Sequence, residues 1–216
     1  MALILPAILE TTKEGFKERV SLVTKIPGVT KIQVDFGDGV FIENKLLEAS
    51  EMETLNPAFE WEAHLMIKNP PDFLDYQICG FKTLLLHYEA YETPNKLQEA
   101  LLNVKNFGLN TGVVINPSTQ VEKLKQFLGY TEQFLIMSVV PGKQGQSFIP
   151  ETINKIKELR ALLPHAIIEV DGGINETNIK SVSQAGADLI CVGSALVKAE
   201  NVNGAYEKLQ MEIGRN

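Results

Sequence analysis

Cysteine, positive charge and long apolar runs are all scarce in this sequence. Its 216 residues include only two cysteines, Cys79 and Cys191, which lie far apart in apolar surroundings. Neither a disulfide framework nor a cysteine metal site is therefore predicted. A formal net charge of -7 at pH 7 excludes a broad surface for nucleic acid. Pro6 and Glu10 interrupt the first apolar run well before it could span a membrane. We therefore expect a cytoplasmic protein that binds neither nucleic acid nor a membrane.

Eight short apolar segments rich in β-branched residues alternate with longer amphipathic segments, which is typical of βα units. The predicted strands begin near residues 4, 31, 59, 82, 110, 133, 166 and 188. The clearest predicted helices cover residues 13–26, 94–108, 118–130 and 150–164, with Ser118 and Pro150 as helix-start residues and Gly108 as a stop. The alternation never gives way to a linker, so residues 1–216 are predicted to form a single domain.

Two architectures suit eight strands that are each followed by a crossover: a closed barrel and a doubly wound open sheet. The first strand is not followed by the GxGxxG motif of dinucleotide-binding sheets, and the glycine-rich strand ends come late in the chain. The length suits a compact barrel. The predicted fold is therefore α/β, a single (β/α)8 TIM barrel.

Acidic residues and a histidine stand at predicted strand ends, where a barrel gathers the residues of its active site. Asp35 ends the second strand, His64 lies in the third and Asp171 ends the seventh. Uncompensated carboxylates in a barrel interior cost several kcal/mol, so something must stabilise them. Two compatible explanations stay open. These residues bind a divalent cation such as zinc, manganese or iron, or the carboxylates act as an acid and a base across a substrate.

Glycine-rich turns follow the last three predicted strands. Their sequences are VPGKQGQSF after strand six, VDGGI after strand seven and VGSAL after strand eight. Such turns bring backbone NH groups close to an anion, and barrels commonly bind phosphate with the loops after strands seven and eight. Three neighbouring turns of this kind predict a small phosphorylated ligand.

Motifs along the whole chain resemble one known family. They are LPAILE, IQVDFGDGVFIEN, HLMIKNP, LHYEA, VINPST, IMSVVPGKQGQSFIPETINKIKELRALL, IEVDGGIN and AGADLICVGSAL, in that order. As a set they resemble the ribulose-phosphate 3-epimerases of the ribulose-phosphate-binding barrels. The resemblance implies an isomerase of the pentose phosphate pathway that interconverts D-ribulose 5-phosphate and D-xylulose 5-phosphate by removing and returning a proton at carbon 3. It also implies a homo-oligomer.

The resemblance assigns roles to particular residues. Asp35 and Asp171 match the two catalytic aspartates of the family. Asp35, His64 and Asp171 match metal ligands, with Gln33 as a weaker, neutral candidate. Phosphate-binding positions match Gly145, Gly172, Gly173, Gly193 and Ser194. Pocket-lining positions match Ala7, Met66 and Met137.

The chain departs from the family pattern at the predicted site. Gln33 stands where the family has a metal-ligating histidine, and Ala7 stands where it usually has a serine. Further departures are Gly37 for a methionine, Val140 for an asparagine, and Lys143 with Gln144 for a phenylalanine-glycine pair. Two alternatives therefore stay open: a sugar-phosphate-binding paralogue with impaired catalysis, and an epimerase for another ketose phosphate.

Overall fold

Eight parallel strands form a closed barrel in a computed structural model that describes residues 2–70, 72–143 and 145–214. The strands are β1 (Leu3–Ile8), β2 (Lys31–Gly37), β3 (Glu60–Met66), β4 (Thr83–His87), β5 (Asn110–Ile115), β6 (Gln133–Met137), β7 (Ile167–Asp171) and β8 (Leu189–Val192). Each strand pairs with the next, and β8 pairs with β1. The predicted (β/α)8 TIM barrel is confirmed, and every strand starts within one residue of its predicted position.

The helices follow the strands around the outside of the barrel. They are α1 (Lys13–Val23), α2 (Leu74–Cys79), α3 (Pro94–Asn106), α4 (Thr152–Leu162), α5 (Ile179–Gln184), α6 (Ser194–Val197) and α7 (Val202–Gly214). Thr12 and Thr93 cap α1 and α3 through their side-chain oxygens. α3 ends at Asn106, and the predicted stop residue Gly108 follows two positions later with a φ of +74°, which suits a residue without a side chain. No helix in the three described ranges is long and apolar enough to cross a membrane.

The predicted helix over residues 118–130 is wrong. The segment forms a 3₁₀ helix, Val121–Phe127, and Ser118 lies outside it. Its apolar residues recur every third position, and all three are buried: Val121, Leu124 and Phe127. This spacing places them in one line along a 3₁₀ helix, whereas on an α-helix they would spread over about 120°. The start predicted at Pro150 is also early, because α4 begins at Thr152.

Alternation along β2 separates an outer face from an inner one. Ile32, Val34 and Phe36 belong to the large apolar core between barrel and helices. Phe36 packs edge-on against Tyr76, with 5.0 Å between the ring centroids, and such aromatic pairs add about 0.5–1.5 kcal/mol beyond their buried area. Successive side chains of a strand point to opposite faces, so Gln33 and Asp35 point into the barrel.

Candidate functional site

A cavity opens at the carboxyl ends of the strands, the end at which barrel enzymes have their active sites. Almost every residue that the sequence predicted for the site lines it: Ala7, Asp35, His64, Met66, Met137, Gly145, Asp171, Gly172, Gly173, Gly193 and Ser194. Gln33 is the exception, because it is completely buried next to Asp35 and Asp171. Gln144 lies outside the described residues.

The reaction centre, defined here as Asp35, His64 and Asp171, lies at the base of this cavity. Strand register brings Asp35 beside His64 on β2 and β3, while Asp171 comes from β7. The Nδ1 atom of His64 is 2.9 Å from Asp35 Oδ1 and 3.6 Å from Asp171 Oδ2. One nitrogen and two carboxylate oxygens therefore lie within 4.8 Å of one another. Such a set can bind a divalent cation.

Two groups of the reaction centre, Asp171 and His64, have pKa values above their ordinary values. Burial raises the pKa of Asp171 to about 7, and the nearby charge of Asp35 adds to this effect. Burial lowers the pKa of His64, but the hydrogen bond and charge of Asp35 and the charge of Asp171 outweigh burial and raise it overall. Near neutral pH Asp171 and His64 therefore hold protons more readily than the free side chains do.

His87 fixes the orientation of the His64 ring. The Nε2 atoms of the two histidines are 2.8 Å apart, so one nitrogen donates to the other. Burial lowers the pKa of His87 to about 4, and His87 is neutral at pH 7. It can accept a hydrogen bond from Nε2 of His64, which directs Nδ1 of His64 toward the two carboxylates. This arrangement suits metal coordination through Nδ1.

Gln33 joins the two aspartates of the reaction centre. Its Nε2 group donates to Asp35 Oδ1 and to Asp171 Oδ2, and both distances are 3.1 Å. Its Oε1 atom accepts a hydrogen bond from the Cys191 thiol at 3.1 Å. In this arrangement Gln33 is a hydrogen-bond donor to the carboxylates and not a metal ligand, because an amide NH2 group has no free electron pair for a cation.

The glycine-rich loops pack too closely for larger residues. Gly172 and Gly173 have φ values of +118° and +65°. A Cβ atom on Gly173 would lie 2.6 Å from the backbone nitrogen of Phe148, which belongs to the loop after β6. Ser138 ties the same two loops together, since its Oγ lies 2.8 Å from the carbonyl oxygen of Asp171 and 2.6 Å from that of Gly172, and its single hydrogen can donate to either. The loops after β6 and β7 thus form one wall of the cavity.

Cys191 lines the cavity, although the sequence predicts no role for it beyond its apolar surroundings. The signal was available in the segment LICVGS, where alternation from Gly193 places Cys191 on the inner face of β8. Other lining residues that were not predicted are Leu9, Val139, Pro141, Gly142, Gln146 and Ile174. They are mostly apolar residues near strand ends, and no polar pattern marks them.

Fold and site together define a (β/α)8-barrel enzyme with two neighbouring carboxylates and a histidine at its mouth. A model of the ribulose-phosphate 3 epimerase family matches residues 3–197. The ribulose-phosphate 3-epimerase of Synechocystis is 34% identical over 205 residues, which cover 92% of this chain and 88% of that protein. The Aquifex aeolicus enzyme of the same name is 32% identical over 220 residues, covering 97% and 96%. The chain belongs to the ribulose-phosphate 3-epimerase family and is an isomerase.

More distant similarity reaches other barrel enzymes. The structure of 3-hexulose-6-phosphate synthase from Salmonella typhimurium superposes with a TM-score of 0.72 at 19% sequence identity, and the match covers 97% of each chain. At this identity the likeness shows the fold alone. It agrees with the closed eight-stranded barrel seen here.

Proposed function

We propose that this protein interconverts D-ribulose 5-phosphate and D-xylulose 5-phosphate, with Asp35 and Asp171 as the proton-transfer pair. The observation that carries the proposal is the meeting of these two carboxyl groups at the base of one cavity, where burial raises the pKa of Asp171 to about 7. A carboxyl group that titrates near neutral pH can both release and accept a proton under ordinary conditions.

The reaction requires an acid and a base at one carbon atom. The hydrogen on carbon 3 is acidic because the neighbouring carbonyl group accepts the electron pair that its removal leaves, giving an enediolate. In one direction ionised Asp35 takes this proton, and protonated Asp171 returns one from the opposite face, which inverts carbon 3. In the reverse direction the two aspartates exchange roles. The active form of the pair therefore holds one proton between two carboxyl groups.

Two further parts of the site suit this substrate. Gly145, Gly172, Gly173, Gly193 and Ser194 line the cavity on the side of the β6, β7 and β8 loops, and we assign the phosphate group to them. Asp35, His64 and Asp171 would hold a zinc, manganese or iron ion. When bound, such an ion would supply a Lewis acid for the negative charge that develops on the substrate oxygens.

An epimerase assay tests the proposal. Purified protein is incubated with D-ribulose 5-phosphate after removal of metal, and again with added Zn²⁺, Mn²⁺ or Fe²⁺. We expect D-xylulose 5-phosphate to form. A failure to form it under all four conditions would exclude this substrate. Assays with ketohexose phosphates would then distinguish an epimerase of another ketose phosphate from a paralogue that only binds sugar phosphates.

The pH dependence of kcat/KM tests the shared proton. Asp171 holds its proton below its pKa of about 7 and loses it as the pH rises. We therefore expect kcat/KM of the metal-free protein to fall about tenfold per pH unit well above that pKa. Burial also lowers the pKa of Lys155 to about 8, so Lys155→Arg, which keeps the charge, is the control and should show the same decline. A flat profile up to pH 9 would contradict the shared proton.

Three features stay predictions alongside this function. The ligand is a small sugar phosphate and not nucleic acid, the protein acts in the cytoplasm, and it assembles as a homo-oligomer. Analytical ultracentrifugation across a range of concentrations measures the last of these directly.

A further inference from the structure

A second polar layer lies inside the barrel, on the side of the reaction centre nearer the amino-terminal strand ends. We call Lys31, Glu62, Gln133 and Glu169 the lower polar layer. Lys31 Nζ is 2.7 Å from Glu62 Oε2, and Gln133 donates to Glu62 at 3.2 Å and to Glu169 at 2.6 Å. Glu62 and Glu169 are completely buried, so their positions are fixed by these contacts. None of the four residues lines the cavity or takes part in the proposed reaction.

Cys191 is the contact between the lower polar layer and the reaction centre. Its sulfur atom lies 2.8 Å from Glu169 Oε1 and 3.1 Å from Gln33 Oε1, and its single S–H hydrogen can donate to either oxygen. Gln33 in turn donates to both aspartates. A continuous chain of polar contacts therefore runs from Glu169 through Cys191 and Gln33 to the two carboxylates. Cys191 is 1% exposed, so these contacts lie in the barrel interior.

The orientation of the Gln33 amide has chemical consequences. The two ends of an amide group have similar shapes, so the hydrogen bonds around it decide which end faces which way. With the nitrogen toward the aspartates, the amide bridges two carboxylates. With the oxygen toward them, it would repel the carboxylates but could bind a cation held between them. The donor on the opposite side of the amide therefore influences which of these two states the site adopts.

We propose that Cys191 is a positioning residue of the reaction centre, because its thiol holds the Gln33 amide with the oxygen turned away from Asp35 and Asp171. The kinetic part of this inference rests on the proposed epimerase function, whereas the structural part does not. Cys191 itself touches neither aspartate through a hydrogen bond and moves no proton. It acts through Gln33.

Two variants separate the hydrogen bond from the volume of the side chain. Cys191→Ala removes the donor. Cys191→Ser keeps a donor, and its side chain is smaller than that of cysteine, as the alanine side chain is. Cys79→Ala is the matched control, since Cys79 is also a buried thiol but donates to the backbone oxygen of Ala49 on the outside of the barrel. Thermal unfolding of each variant is measured first, to establish that all of them are folded.

The first readouts do not depend on catalysis. The side-chain amide signals of Gln33 are identified in ¹H–¹⁵N spectra by their loss in Gln33→Met. We expect them to shift in Cys191→Ala and to stay near their native positions in Cys191→Ser and Cys79→Ala. Mn²⁺ binding to metal-stripped protein, followed by electron paramagnetic resonance, should tighten roughly threefold in Cys191→Ala alone, because the amide turns its oxygen inward more easily once one ordinary hydrogen bond is lost.

The kinetic readout addresses the role in the reaction. For D-ribulose 5-phosphate we expect Cys191→Ala to lower kcat roughly tenfold with KM within twofold of the native value, and Cys191→Ser to restore most of kcat. Unchanged amide signals and Mn²⁺ affinity in Cys191→Ala, or equal changes in the Ala and Ser variants, would overturn the positioning role. Absence of epimerase activity in the native protein would instead refute the proposed function. The spectra and the Mn²⁺ affinity would still test the positioning role of Cys191, because they do not depend on catalysis.

Discussion

Asp171→Asn is expected to lower kcat for the epimerisation of D-ribulose 5-phosphate by about 10³-fold, within the usual range for loss of an acid–base group. An amide cannot deliver or accept the proton at carbon 3, yet it has nearly the same size and can still meet Gln33. The phosphate loops are unchanged, so the affinity for a non-reacting phosphorylated analogue should stay within about threefold. Steady-state kinetics and calorimetric titration measure the two quantities.

Exchange of the carbon 3 hydrogen with D₂O makes this prediction sharper. In Asp171→Asn, Asp35 can still remove and return a proton on its own face, so one epimer should exchange its hydrogen without inversion. Asp35→Asn should show the same behaviour with the other epimer. Asp75→Asn, at an exposed site on α2, is the matched control and should leave both inversion and exchange intact. Loss of analogue binding together with activity would instead indicate a structural role for Asp171.

Gln33→His is expected to tighten the binding of Zn²⁺ by roughly tenfold or more. The native amide directs two N–H groups toward Asp35 and Asp171, whereas an imidazole at this position can offer an electron pair. The imidazole at position 33 would join Asp35, His64 and Asp171 in a set of four nitrogen and oxygen ligands, and zinc prefers four ligands. Competition with a chromophoric chelator, using protein stripped of metal, measures the dissociation constant.

The control for this variant is Gln33→Met, which removes the amide donor without adding a zinc ligand of comparable strength. If loss of the Gln33 hydrogen bonds to the two aspartates were enough to tighten Zn²⁺ binding, the Met and His variants would bind Zn²⁺ equally well. That result would contradict the prediction that the imidazole itself coordinates the ion. Parallel titration with Mn²⁺ shows whether the gain is larger for zinc, as its preference for nitrogen ligands predicts.

The fold could be predicted from the sequence because barrel strands are buried on both sides and appear as short, β-branched apolar runs. The failure at residues 118–130 has a clear cause. Apolar residues at 121, 124 and 127 satisfy an α-helical pattern in part, but their strict spacing of three suits a 3₁₀ helix. Glu89, which lies outside this segment, also holds the turn before the 3₁₀ helix. The backbone N–H of Asn116 and the hydroxyl group of Thr119 both donate to its carboxylate.

The position of the candidate site could be predicted for a similar reason. Asp35 and Asp171 end their strands, and the carboxyl ends of all barrel strands meet at one mouth. The direction of the Gln33 amide and its contact with Cys191 could not be predicted. They join residues 158 positions apart and depend on how β8 and β2 flank β1 after closure. Sequence alone also gave no reason to connect Cys191 with Glu169.

Closure of the barrel by the pairing of β1 with β8 is also a condition for assembling the reaction centre. Asp35 and Asp171 lie on strands that β1 and β8 bring together, so a chain synthesised only as far as β7 has both carboxylates but no reaction centre between them. Its partial sheet exposes two unpaired edges, which are prone to pairing with other chains. The reaction centre therefore requires β8 in place, and we expect turnover during refolding to recover no earlier than the pairing of β1 with β8.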